Sequence, residues 1–571
     1  MSKSRKNCYK ERIKGIRGLM MNKKTFHNPI IKGGYPDPSI CRVGDTYYLV
    51  TSSFYYFPGL PVFKSKDLVH WEQIGNAISR PEQLDFQDCD SSEGLWAPTI
   101  RYYEGTFYII NTLDVNGRTC RQNFIITAED PKGPWSEAVI IQGADGIDPS
   151  LFFDREGRMW YCSNLTPKDL KYPEQKVIYA GELDRDTFQF KGEPQVILDG
   201  SIDHSFYTEA PHIYEVNGMY YLMTACGGTQ TNHGVHLYRS SEILGPYEPC
   251  PRNPVITNRN VRLNNSLGVS VIGHGDLVQT QEGEWYVVLL GIRPYRHERQ
   301  DYDDFQPRKW IRTPDRNKDA QFNLGREVFL APVAWDYDGW LLVDNETGMV
   351  GLTERRPNLP ECRPPYQSRV DNFESDKLNM AWCMRRPIRE AFYSLSERPG
   401  YLRLKPGRVR AEEPGAAAML VKRQQHNDFQ AAAAMEYEPG FNGDEAGLIV
   451  TQNERFSYLL LKERQEDGLW ISCFRVAGGV RERIAQKPVK AGRLYLYLEG
   501  GEGTYSFYYG YQEGEMLPLA LSQDGSLLST LVADGFVGAY LGVYGARSQE
   551  EGEAMEAFAD FDWFRYEAIE E

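Results

Sequence analysis

The sequence predicts an all-β protein, a five-bladed β-propeller followed by a β-sandwich. Three observations carry this expectation. One strand–turn–strand unit recurs five times, short alternating strands fill the remainder, and helical periodicity is nearly absent. The unit is clearest in FYTEAPHIYEVNGMYYLMTACGGT, residues 206–229. An acid–Ala–Pro step opens an apolar strand, Asn217-Gly218 turns it, and MYYLMTA returns, rich in aromatic residues suited to a pleated, half-buried surface.

The first copy is YPDPSICRVGDTYYLV from Tyr35, the second WAPTIRYYEGTFYII from Trp96, and the third IDPSLFFDREGRMWYC from Ile147. The unit described above is the fourth, and GHGDLVQTQEGEWYVV from Gly273 is the fifth. Their turn glycines, Gly44, Gly105, Gly157, Gly218 and Gly283, lie 52 to 65 residues apart, a spacing that suits radially repeated sheets. Segments with their own turn signals, such as VFKSKDLVHWEQIG and EDPKGPWSEAVII, supply outer strands. The charged, apolar-poor stretch over residues 295–321 reads as a long loop across one face. A Pro-rich segment, RRPNLPECRPPYQ, then marks a boundary. Beyond it AGLIVTQ, FSYLLLKER, LWISCFRV, RLYLYLEG and TYSFYYGY alternate in the manner of a sandwich, with ADFDWFRYEA as the closing strand. The division is therefore a disordered extension over 1–25, the propeller over 26–340, a linker over 341–367 and the sandwich over 368–571.

Composition narrows the function. A chain of 571 residues exceeds what one core usually serves, and its 13% aromatic content suits sugar stacking as well as strands. A net charge of −15 argues against a nucleic-acid partner. No run reaches transmembrane length, and the basic first 24 residues lack the apolar core of a secretory signal, so no membrane partner is expected. Ten cysteines without CxxC pairs fit free thiols in a cytoplasmic protein.

In a propeller the starts of the innermost strands meet around one cavity. Three starts carry an acid: Asp37 in YPDPS, Asp148 in IDPSL and Glu209 in TEAPH; the fifth adds His274 and Asp276 in GHGDL. A single acid beside proline is as readily a turn cap. Three converging on one axis repel each other, a cost that catalysis would justify. Paired carboxylates in a sugar-sized pocket suit glycosidic bond cleavage, one protonating the leaving oxygen while the other activates water or attacks the anomeric carbon.

These phrases, with FPGLPVFKSKDLVHWEQIG and LGREVFLAPVAW, resemble glycoside hydrolase family 43, above all its β-xylosidase/α-L-arabinofuranosidase members with an appended sandwich. The resemblance implies that the sandwich is concanavalin A-like and that hydrolysis inverts the anomeric centre. It implies Asp37 as general base, Asp148 as pKa modulator and Glu209 as general acid. Phe54, Trp96, His274, Arg326 and Phe536 would line the sugar pocket, Phe536 reaching it from the sandwich. The expected substrate is a xylo- or arabino-oligosaccharide, cut from its end. The chemistry needs no cofactor and no catalytic metal; a structural Ca²⁺ on the propeller axis, and a homo-oligomer, are left open. Three departures from the family pattern, Tyr55 in FYYFPG, Cys226 before Gly-Gly-Thr and the insertion at 295–321, fall where the sugar could be selected. Other readings are a strict α-L-arabinofuranosidase and a non-catalytic carbohydrate-binding propeller, which would have no use for three acids.

Overall fold

The computed structural model describes residues 24–569 except 116–119, 262–265, 297–319, 346, 367, 389, 502 and 549–556. The N-terminal extension up to residue 23 and the body of the 295–321 stretch lie outside the described residues. Only the base of that stretch is described, where Tyr295–Arg296 pairs with Ala320–Gln321.

The first domain holds five antiparallel sheets, each built on a path of four strands in chain order, with a further short strand on the fourth. Their leading strands are Ser39–Val43, Gly94–Tyr103, Ile147–Phe153, Glu209–Val216 and Ser270–Gln279. Each leading strand contacts the next, and the fifth returns to the first, so the sheets form a closed cycle. Alternation explains why: both faces of every sheet meet a neighbour, and apolar side chains such as Ile100, Ile109, Leu151, Ile213 and Val287 are fully or almost fully buried between them. The chain ends of this domain are also tied. Thr25–His27 pairs with Thr353–Arg355, and the Asn28 side chain donates to Leu330 O and Gly351 O. Leu341–Val343 is the outer strand of the fifth sheet. Residues 341–355 are therefore not the bare linker expected from the sequence; their apolar and pairing positions complete the first domain.

The second domain packs an eight-stranded and a six-stranded antiparallel sheet around one core. That core is continuous with the first two sheets of the first domain. Tyr56–Phe57 pairs with Met384–Arg385, and the Tyr56 ring stacks on Tyr540 with centroids 3.7 Å apart. Arg386 donates to Cys89 O at 2.6 Å and pairs with Glu454 at 2.8 Å, while Arg423 donates to Gly34 O. At Gly538 a Cβ would stand 2.7 Å from the backbone of Leu324 and Gly325, so only glycine allows the two main chains to meet there. This seam brings the loop containing Phe536 onto the first domain.

Candidate active site

The leading strands share a local device. Asp37, Ala97, Asp148 and Ala210 each precede a proline and adopt φ between 45° and 57°; His274, at the corresponding place in the fifth strand, has φ 48°. In the second to fifth strands the pairing register shifts across this point. Such bulges re-aim a side chain out of the sheet, and left-handed non-glycine backbone costs about 1–3 kcal/mol at each position. Five repetitions in one cycle concentrate that strain where the side chains converge.

The repeat also corrects the expected register. Asp37 and Asp148 are equivalent, with Ala97, Ala210 and His274, but Glu209 stands one residue earlier, the last paired position before the bulge, matching Trp96. A one-residue offset turns a side chain to another side. Hence Asp37 and Asp148 are 5% and 9% exposed, whereas Glu209 is only half-buried.

Asp37 is the most thoroughly held of the three. Its Oδ1 accepts from Arg326 Nη1 at 3.0 Å and lies 3.6 Å from His274 Nδ1; its Oδ2 accepts from Ser52 Oγ at 2.6 Å. Burial pushes the carboxyl up, but Arg326, then His274 and the Ser52 hydrogen bond, outweigh it and hold it below the ordinary carboxylate value. Asp148 behaves oppositely. Burial, followed by repulsion from Glu209 and Asp37, raises it well above that value, against one hydrogen bond from Ala210 N at 3.1 Å. Glu209 is raised as well, first by burial; Lys176 and Arg121 pull it down, while Glu174 and Asp37 push it up.

The predicted sugar-contacting residues converge with these acids. Arg326 also donates to Phe536 O at 3.2 Å, and its guanidinium lies over the Phe54 and Phe536 rings at 5.8 and 5.5 Å. Phe536 stacks on Phe54 (6.2 Å) and meets Trp96 edge-on (5.5 Å), while its N–H donates to Ser92 Oγ. Two of the departures do not join them. Tyr55 is fully buried beneath Arg386 of the second domain, because it leads into Tyr56–Phe57, which pairs with Met384–Arg385 across the seam. Cys226 is buried at the end of its strand, its thiol pushed up to about 12 by burial.

Sequence reasoning singled out Asp276 but missed the rest of the polar layer on the axis. Asp276 accepts from Arg101 Nη1 (2.8 Å), Ser39 Oγ (2.6 Å), Ile40 N (3.0 Å) and Tyr214 OH (2.6 Å). Arg101 also donates to His212 Nδ1 at 3.0 Å, so that nitrogen accepts; burial depresses His212 to about 3, which keeps it neutral with its proton on Nε2. Ser39, Ser150, His212 and Asp276 share one repeat position, the polar residue two after the left-handed one, a signal visible in the repeat itself. Both Asp276 oxygens are committed to donors and the adjacent cation is a guanidinium, so this donor set does not fit an axial Ca²⁺. Ser52 and His233 were missed too. His233 donates through Nδ1 to Val271 O at 3.0 Å and packs on Gly273, where a Cβ would lie 2.4 Å from the ring.

A family model described as glycosyl hydrolases family 43 matches residues 26–341, and one described as the beta xylosidase C-terminal concanavalin A-like domain matches residues 370–567. The chain is 37% identical to the non-reducing end alpha-L-arabinofuranosidase BoGH43B of Bacteroides ovatus, over 97% of this chain and 96% of that protein. It is 36% identical to a xylosidase/arabinosidase of Butyrivibrio fibrisolvens, over 95% and 99% respectively. Among solved structures, the xylan beta-1,4-xylosidase from Bacillus halodurans superposes with a TM-score of 0.85 at 31% identity, over 95% of this chain and 99% of that one.

Proposed function

Because this chain belongs to glycosyl hydrolase family 43 and is a glycoside hydrolase, we propose that it is an inverting, exo-acting enzyme releasing xylose from xylo-oligosaccharides, its five-sheet cycle being a five-bladed propeller. In this reading Asp37 is the general base, Glu209 the general acid and Asp148 the group that keeps Glu209 protonated. The observation that carries it is electrostatic: one carboxyl is held low by Arg326 while two neighbours are raised, Asp148 by burial and repulsion from Glu209 and Asp37, and Glu209 first by burial. Carboxyls whose environments push their pKa values apart are suited to opposite proton-transfer roles.

The step follows from those states. Ionised Asp37 accepts a proton from a water as its oxygen bonds the anomeric carbon. Protonated Glu209 gives its proton to the departing glycosidic oxygen, and the C–O bond breaks with inversion. Each Asp37 oxygen keeps a lone pair for that water after serving Arg326 and Ser52. Phe54, Trp96 and Phe536 supply an aromatic wall for the sugar, and the second domain thereby closes the pocket to longer chains on that side. No step passes through a metal. Described thiols that are all free support action in a reducing cytoplasm.

A strict α-L-arabinofuranosidase is the second reading, favoured by the similarity to the Bacteroides ovatus enzyme. Hydrolysis of nitrophenyl β-xyloside against nitrophenyl α-L-arabinofuranoside decides between them. NMR of the first-formed anomer tests the mechanism: retention of configuration would overturn it.

A further inference from the structure

A large aromatic stands in solvent three residues before the proposed acid. Phe206 is 47% exposed, although its neighbours Thr208 and Ser205 are buried. Its position is fixed on several sides. Tyr172 meets its ring edge-on at 5.4 Å, and the Tyr172 hydroxyl donates to Ser205 O at 2.7 Å. Phe206 O accepts from Gly227 N at 2.7 Å, and Tyr207 N donates to Glu174 O at 3.0 Å. His204 flanks Tyr172 at 6.2 Å. The segments 170–176 and 204–208 thus form a braced ledge leading directly to Glu209.

We propose that Phe206, braced by Tyr172, is the platform for the leaving group, the first sugar ring beyond the scissile bond. The inference rests on Glu209 being the acid. An acid that protonates the glycosidic oxygen has the departing sugar beside it, next to whatever flanks it in the chain and in space. Those flanks are Phe206 and the 170–176 segment, whose Glu174 and Lys176 act electrostatically on the Glu209 carboxyl. A pyranose in its chair presents C–H faces to an aromatic ring and hydroxyls around its rim. Here the ring offers the first surface, and Glu174 and Lys176 offer charged partners for the second. Orientation of the leaving sugar by remote contacts is binding energy used at the reacting bond.

The test uses the full-length enzyme with Phe206→Ala and Phe206→Tyr. Substrates are xylotriose and xylosyl fluoride, or the arabinofuranosyl counterparts if that pentose is the one released; the fluoride has no leaving sugar. For Phe206→Ala, kcat/KM should fall about tenfold more on the oligosaccharide than on the fluoride, mainly through KM, with Phe206→Tyr restoring it. Equal losses on both substrates, or no loss on xylotriose, would overturn the platform. So would a change of oligomeric state on sedimentation, which would make the ledge a contact between copies of this chain. A wild-type enzyme that releases pentose from neither substrate would instead refute the parent reading.

Discussion

Replacing Arg326 with methionine isolates what holds Asp37 ionised. Both side chains are buried, so their interaction is weakly screened. Among the influences on Asp37, burial is the largest and Arg326 the strongest opponent; His274 follows, yet its own pKa is lowered, first by burial, so it carries little charge near neutrality. An adjacent cation typically lowers a carboxyl by about 1–3 pKa units, or about 1.4–4 kcal/mol. Without it, burial is opposed only by the weaker His274, Ser52 and His233 contributions, and the Asp37 carboxyl rises. The acidic limb of kcat/KM, which marks protonation of the base, should therefore move upward by about 1–3 units. The stability sign follows. In the native enzyme the depressed Asp37 stabilises the fold above its unfolded pKa and loses that contribution as pH falls. In Arg326→Met the folded pKa moves up by that amount, so near neutral pH the fold loses about 1.4–4 kcal/mol relative to the native enzyme, a loss that disappears as pH falls below both values. Rate profiles from about pH 3 to 9, with melting curves at both ends, measure both effects. An acidic limb at its native position beneath a uniformly lowered rate would refute this account of Asp37.

Glu209→Ala should lose most activity on oligosaccharides and much less on a leaving group that needs no proton, whereas Asp37→Ala should be impaired on both; equal sensitivity to leaving-group acidity contradicts the roles. Asp148→Asn removes the carboxyl that repulsion from Glu209 raises; under the modulator role the alkaline limb, where the acid ionises, should move to lower pH, and a fixed alkaline limb counts against that role. Phe536→Ala forfeits ring contacts to Phe54, Trp96 and Arg326, about 0.5–1.5 kcal/mol each, and should raise KM severalfold in a folded protein, read by kinetics with circular dichroism. Ending the chain after Arg355 uncovers Tyr55, Tyr56 and Phe57 and should give an aggregating or inactive product; a soluble truncation with full activity on xylobiose would make the second domain a mere accessory.

Much of this site was legible because it repeats. A turn glycine and an aromatic return strand recur five times, a proline opens four of the units and an acid stands at that step in three, and equivalent positions in a closed repeat must meet at its axis. Asp37, Asp148 and Glu209 were readable on that ground, as was the all-β character from period-2 alternation. Phe536 and Arg326 were readable only through resemblance, since nothing local in ADGFVGAYLG or LGRE distinguishes a pocket wall from a packed loop.

The sequence by itself determined the sheets, the acids and the family to which they belong, since those depend on spacing along one strand and on the order of motifs. Tertiary structure alone decided the surroundings and the pKa direction of each acid. Left-handed backbone sets Asp37 and Asp148 at one repeat position, with Glu209 one residue earlier in its unit, and Arg326, 289 residues away, is the strongest influence holding Asp37 ionised. It also turned Tyr55 into the seam, tied residues 341–355 to the first domain, and placed a guanidinium rather than an open donor set on Asp276. Charge states depend on burial and on through-space neighbours, and neither quantity is a function of position along the chain.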